Sequence, residues 1–249
     1  MGVENKIILI TGSSQGIGKA CALTLAKNGA KVVLAARNLE KLKAVADECG
    51  PDAMPVACDA TDPDAVDTLF AAIKERHGRL DVLFNNAGGN MPSTNFGDVD
   101  YESWSRVIGI NLNGAFLMAR GAYRMMRDQD PQGGRIINNG SISAYAPRPG
   151  SVAYTASKHA ISGLTKTISL DGRAFNIACG QIDIGNAMTD MAARMAKGVP
   201  QANGEIKPEP LMDVQTVADT VLYMASLGLD SNAQSLTIMA TKMPFVGRG

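Results

Sequence analysis

Short runs of apolar, largely β-branched residues alternate with amphipathic stretches through the first half of the chain. Residues 6–10, 31–36, 54–58, 81–85 and 135–138 are apolar nearly throughout, as strands covered on both faces should be. Between them, apolar positions recur at helical spacing over residues 18–28, 39–48 and 64–77. Thr61-Asp62-Pro63-Asp64 supplies a cap, a proline and an early acid for the third of these helices. Gly29 and Gly78 stand where helix ends take a left-handed residue. Beyond residue 100 the helices lengthen: residues 101–127 read as one or two helices with a break near Asn111 and Gly114, and residues 152–170 as another, closed by Asp171-Gly172. A last helix over 213–227 precedes a last strand over 235–240. Residues 185–210, with Met188, Met191 and Met195 near their start, lack firm periodicity and suit a lid or binding loop. The alternation predicts an α/β fold, a doubly wound parallel sheet of Rossmann type. With no repeat, linker or low-complexity tract, residues 1–249 read as one domain.

Composition narrows the picture. The 249 residues are 45% hydrophobic and 19% charged, enough to bury one sizeable core. Twenty-four basic against 24 acidic residues give zero formal charge, which removes any strong electrostatic case for nucleic acid or an anionic membrane. No apolar run approaches the roughly 18 residues of a membrane helix. The start of the chain is polar, and the apolar residues 7–10 are too few for a signal peptide. A cytoplasmic protein is expected. Cys21, Cys49, Cys58 and Cys179 form no CxxC pair and read as free thiols. His77 and His159 are the only histidines, so no His-rich metal site is expected.

The first predicted strand runs into Thr11-Gly12-Ser13-Ser14-Gln15-Gly16-Ile17-Gly18 and then a helix. Glycines at this spacing allow a sharp turn, close backbone approach to a pyrophosphate and tight helix–strand packing, while the helix N-terminus offers unpaired N–H groups to an anion. A tight turn with no ligand would use the same residues. Further on, Tyr154 and Lys158 lie four apart on a predicted helix and share a face. An ordinary tyrosine is a poor base near neutrality, and an ammonium about 4 Å away would favour a phenolate by about 4 kcal/mol at an effective dielectric near 20.

These features, with Asn85-Asn86-Ala87-Gly88, Asn111, Ser141 and Tyr154-Thr155-Ala156-Ser157-Lys158 in order, resemble the short-chain dehydrogenase/reductase family, in particular its 3-oxoacyl-(acyl carrier protein) reductase type. The resemblance spans roughly residues 5 to 240. It implies an oxidoreductase that moves a hydride between a nicotinamide cofactor and a carbonyl or secondary alcohol. Tyr154 would be the general acid/base, Ser141 would hydrogen-bond the substrate oxygen, and Lys158 would hold the nicotinamide ribose. Asn111 would interrupt its helix to bind a water of the proton relay. Its simpler reading is a helix kink. Ser143 is a fallback donor. Gly12, Ser14, Gln15, Gly16, Ile17 and Gly18 would line the cofactor turn, Asp59 and Ala60 the adenine. Asn86, Ala87 and Gly88 would line the ribose; the simpler reading of Asn85-Asn86 is that they hold neighbouring strands together, and the two roles are compatible.

Two regions decide specificity. Ala36 stands where NAD-binding members often place aspartate, and Arg37 follows it. Arginine suits a 2′-phosphate, so NADP(H) is expected over NAD(H), against the opposing sign that Gln15 is not basic. After the sixth strand the family carries Pro-Gly and then a threonine touching the nicotinamide amide. The corresponding stretch here reads Cys179-Gly180-Gln181-Ile182-Asp183-Ile184, with Cys179 for the proline, Ile184 for the threonine and Ile182 contributing backbone. Asn186 or Thr189 could supply the missing hydroxyl. Apolar residues on several sides of residues 114–127 and 152–170, among them Phe116, Met118, Met125 and Met126, mean helices that are doubly covered or packed on another subunit, and the resemblance implies a homo-oligomer, a dimer or tetramer, paired through them. The partners expected are a small carbonyl or alcohol, with no nucleic acid and no membrane. The rival reading is a catalytically silent dinucleotide-binding sensor or scaffold.

Overall fold

The computed structural model describes residues 2–189 and 198–246. Strands and helices alternate as β1 (Ile7–Thr11), α1 (Gly16–Lys27), β2 (Lys31–Ala36), α2 (Leu39–Cys49), β3 (Met54–Ala57), α3 (Pro63–His77) and β4 (Val82–Asn85). The second half continues with α4 (Tyr101–Ile108), α5 (Ala115–Asp128), β5 (Gly134–Asn139), α6 (Val152–Asp171), β6 (Ile177–Gly185), the two-residue strands β7 (Val199–Pro200) and β8 (Ile206–Lys207), α7 (Val214–Ser226) and β9 (Ser235–Met239). Seven strands form one sheet in the order β3-β2-β1-β4-β5-β6-β9, every pairing parallel. The order reverses between β1 and β4, which opens a crevice at the strands' carboxyl ends.

Each face of the sheet has its own core. Ile8, Ile10, Leu34 and Phe84 point to the side carrying α1, α2 and α7, where Leu25, Leu42 and Val221 meet them. Leu9, Val33, Leu83 and Ile136 point to the other side, against Leu69 and Ile73 of α3 and Met118 and Met126 of α5. This alternation within near-continuous apolar strands is what a doubly covered sheet requires. The caps follow the sequence: Asp62 accepts from the amides of Asp64 and Ala65, Pro63 opens α3, and Gly78 closes it in the left-handed region at φ 73°. Asp213 likewise caps α7 from outside.

The break expected near Asn111 and Gly114 is a single π-helical turn, Gly109–Gly114, between α4 and α5. Two expectations need correction. β6 continues to Gly185, so Cys179 and Ile184 lie inside a strand and cannot occupy a turn that follows it. Gly180 is there for packing, because a Cβ on it would fall on the carbonyl oxygen of Ala233. The second concerns α5. Met118 and Met126 are buried in the chain's own core, and Met125 packs at its edge, whereas Phe116 stays 46% exposed. Within residues 185–210, β7 and β8 pair antiparallel and Ala187 bridges to Met212, while Met191 and Met195 lie outside the described residues.

Candidate active site

The turn after β1 is built for close approach. Gly12 and Gly16 have φ of 67° and 57°, a region that glycine enters without strain. A Cβ on Gly18 would fall on the Gly12 carbonyl oxygen, so α1 can start this near the strand only with glycine there. Gln15 occupies the N-cap without a side-chain cap bond, and the first turn of α1 carries no acid. The N-terminal amides of that turn, with the positive end of the helix dipole, suit an anion, and no acid of the turn itself competes for them. Ile17 is partly buried against the core and Ser14 is half-buried. The Ser13 hydroxyl is buried with no hydrogen-bond partner among the described residues, an orphan that a ligand hydroxyl or phosphate would satisfy. These residues fit a dinucleotide.

The other strand ends converge on this crevice. Asn86 donates to the Thr11 carbonyl at 2.9 Å and accepts from Asn139 at 2.9 Å, while the Thr11 hydroxyl accepts from the amides of Asn86 and Ala87. Asn86 thus does tie neighbouring strands together. Asp59, after β3, accepts the amide and hydroxyl of Thr61, which hold its carboxyl below the usual range, and the charge of Arg37 adds to this. Arg37 is exposed at the end of β2 and Ala60 is buried against Gly114.

Asn111 sits in the π turn, 2% exposed, and makes a reciprocal pair with Gly89: its oxygen accepts the Gly89 amide at 2.7 Å and its amide donates to the Gly89 carbonyl at 2.9 Å. It also donates to Ser157 on α6 at 3.1 Å, and its Oδ1 stands 3.1 Å from where a Cβ on Gly88 would be, a tight approach. On α6, Lys158 is buried, its ammonium 5.5 Å from the centroid of the Tyr154 ring. It donates to the Asn139 carbonyl at 2.7 Å, which fixes it at the end of β5. Ser141 stands two residues after the end of β5; its Oγ accepts the Ser143 amide at 3.1 Å, leaving the hydroxyl hydrogen to be donated elsewhere. The short helical turn at Ile142–Ala144 packs on α6.

Ile182 is not brought to this crevice. It is fully buried in the middle of β6, with its carbonyl taken by the Gly140 amide at 2.8 Å. Gly185 ends the strand at this edge, and Thr189 lies 3.5 Å from where a Cβ on Gly16 would stand. Cys179 is buried in mid-strand and burial pushes its thiol up to about 12, which suits packing and not nucleophilic chemistry.

Two polar clusters at this edge escape a reading by motif. Gln181 and Asp183 point from β6 into a buried network with Asn138, Thr165 and Ser141. Glu209, 4% exposed, binds Arg148, Asn186 at 2.7 Å and Gln201 at 3.0 Å, joining the loop before α6 to the segment after β6. The signal available in sequence was the period-two placement of Gln181 and Asp183 in an apolar run.

Comparison with known proteins agrees with this geometry. A family model described as short chain dehydrogenase matches residues 6–199. A 3beta-hydroxysteroid dehydrogenase of Mediterraneibacter gnavus is 38% identical over 206 residues, covering 82% of this chain and 74% of its own. A trans-4-hydroxycyclohexanecarboxylate dehydrogenase of Sinomonas cyclohexanicum is 33% identical over 233 residues, 90% of this chain and 87% of its own. Among solved structures, a 3-ketoacyl-(acyl-carrier-protein) reductase from Brucella melitensis, complexed with NADH, superposes with a TM-score of 0.86 at 27% identity, over 96% of this chain and 99% of that one. The doubly wound sheet, the glycine turn and the relatives together make this chain a member of the short chain dehydrogenase family of oxidoreductases.

Proposed function

We propose that the protein interconverts a ring-borne secondary alcohol and its ketone, with NADP(H) as the hydride carrier. The observation that carries this reading is the pair on α6: the Lys158 ammonium, anchored on the Asn139 carbonyl, lies against the Tyr154 ring one helical turn away. The pair sets a phenol, which can give or take a proton, beside a fixed cation. In the oxidising direction Tyr154 takes the hydroxyl proton of the substrate, and in the reducing direction it returns one. Ser141 donates its hydroxyl hydrogen to the same oxygen as charge develops. A nicotinamide dinucleotide bound along the Gly12–Gly18 turn supplies or accepts the hydride. Lys158 keeps two further N–H donors for its ribose, and Asn111, at the π turn, serves a bound water of the proton relay. Asp59, Ala60, Asn86, Ala87 and Gly88 line the adenosine half.

Gly185 ends β6, so the amide-contacting threonine of the family pattern is Thr189, and no replacement hydroxyl is needed. Of the substrate loop expected over residues 185–210, residues 185–189 and 198–210 are described, and these flank the site. Both named relatives are dehydrogenases of ring alcohols. A recess of about 360 Å³ lined by Thr94, Phe96, Pro147, Arg148, Val152 and Thr155 opens beside the first turn of α6 and offers apolar walls for a ring. Two copies pair through α5 and α6, where Phe116 and Leu170 are 46% and 59% exposed in the single chain.

Arg37, exposed at the end of β2, gives the 2′-phosphate charge-assisted bonds worth about 1.5–3 kcal/mol each, a preference for NADP(H) of roughly 10- to 150-fold. The test is cofactor reduction with cyclohexanol, trans-4-hydroxycyclohexanecarboxylate and a 3β-hydroxysteroid, each with NADP and NAD, on the parent and on Ala36→Asp/Arg37→Ile. Turnover of at least one alcohol, faster with NADP in the parent and shifted toward NAD in the variant, is expected. Silence on all three refutes the ring-alcohol reading, and a parent preference for NAD refutes the role of Arg37.

A further inference from the structure

The backbone ladder between β5 and β6 ends with the Gly140 amide on the Ile182 carbonyl at 2.8 Å. The next N–H along the chain belongs to Ser141. No backbone carbonyl meets it. Its acceptor is Asp183 Oδ1 at 2.9 Å. Asp183 is fully buried, and its carboxylate takes two more donors: Gln181 Nε2 at 2.6 Å on the same oxygen and the Tyr145 hydroxyl at 2.8 Å on the other. One of those donors comes from the same strand and the other from the residue that ends the short turn capped by Ser141. Gly140 makes the arrangement possible, because a Cβ there would fall on Asp183 Oδ1.

We propose that Asp183 is a positioning residue for the reaction: its buried carboxylate, held by Gln181 and Tyr145, grips the Ser141 amide and so aims the Ser141 hydroxyl at the substrate oxygen. The inference rests on the role given to Ser141 above. Among the described residues the Ser141 side chain has one hydrogen bond, from the Ser143 amide at 3.1 Å, and that partner belongs to the same short turn. The carboxylate is the only rigid strand-borne group found holding the Ser141 backbone among the described residues. Misplacing a reacting group by an ångström costs on the order of 10²-fold in rate.

A double-mutant cycle on the full chain reads this directly, using the fastest alcohol of the panel above. Ser141→Ala should lower kcat by about 10²-fold, the usual effect of removing one such donor. Asp183→Ala should lower kcat by about 10- to 100-fold with the cofactor KM unchanged. In the Ser141→Ala background the same change should cost less than about threefold, because its effect passes through the missing hydroxyl. Asp183→Asn keeps an acceptor and should restore most of kcat. Should Asp183→Ala fail to fold, Gly140→Ala displaces the carboxylate and should reproduce its losses. Multiplicative losses in the double variant would overturn the proposal. An undiminished kcat in Ser141→Ala would instead overturn the role of Ser141. Exchange of the Ser141 amide, followed by NMR, tests the grip apart from turnover: it should be slow in the parent and Asp183→Asn and at least about tenfold faster in Asp183→Ala or Gly140→Ala. Equal rates in parent and Gly140→Ala would refute the grip.

Discussion

Arg135 and Asp183 are both buried to within 1% of fully, on adjacent strands of one sheet, and among the described residues neither has an opposite charge as hydrogen-bond partner. Each is instead surrounded by neutral dipoles. Arg135, at the amino end of β5, donates to the carbonyls of Gly228 and Ser231 at 2.8 Å and to Asn232 at 3.0 Å, drawing the loop after α7 over the bottom of the sheet. Asp183, near the carboxyl end of β6, accepts from an amide, a side-chain amide and a phenol. The solution is the same and the outcome differs by position. At the amino edge the charge closes the fold, and the nearby Lys6 joins it by donating to the Ala225 carbonyl at 2.9 Å. At the carboxyl edge, where crossover connections leave the crevice open, a buried charge holds a residue that faces it.

Removing the charges separately sharpens this contrast. Arg135→Ala leaves buried carbonyls unpaired and should cost about 3 kcal/mol of stability. In a chain of this size that lowers Tm by roughly 6–12 °C, with kcat at 25 °C intact. Calorimetry beside an activity assay checks both; a loss of kcat without loss of Tm would erase the distinction between the two edges. A smaller effect is expected at Glu209. Burial pushes its carboxyl up, but the bonds from Arg148, Gln201 and Asn186 and the Arg148 charge outweigh it and leave the group below its usual value of 4.5. A carboxyl lowered in the folded state contributes stability that is present above the unfolded value and lost as pH falls through the folded one. Tm should therefore drop more steeply below about pH 4.5 in the parent than in Glu209→Gln. Parallel Tm–pH curves would show that this cluster contributes nothing below that pH.

How much of this was legible in the sequence varies with the length scale of the contacts involved. The β1–β5 strands, the caps at Asp62 and Gly78 and the break at Asn111 could be read because each is decided by residues within one or two turns. The order of motifs likewise marked the crevice. The end of β6 could not, because Gly180 looks like a turn glycine unless Ala233, 53 residues on in the chain and close in space, is known to lie against it. The buried state of Met118 and Met126 also depended on a distant partner, α3. Asp183 and Glu209 were invisible for the same reason: their donors come from segments that only the folded sheet edge brings together.

The central claim, that Tyr154 exchanges the proton while hydride moves, is tested most directly by Tyr154→Phe. The variant keeps the ring and its contact with Lys158 but has no proton to exchange. Pre-steady-state reduction of bound cofactor by the alcohol, measured beside cofactor Kd and Tm, should be slower by about 10²–10⁴-fold, with both other quantities unchanged. Hydride transfer at more than half the parent rate in a folded, cofactor-binding Tyr154→Phe protein would contradict the account.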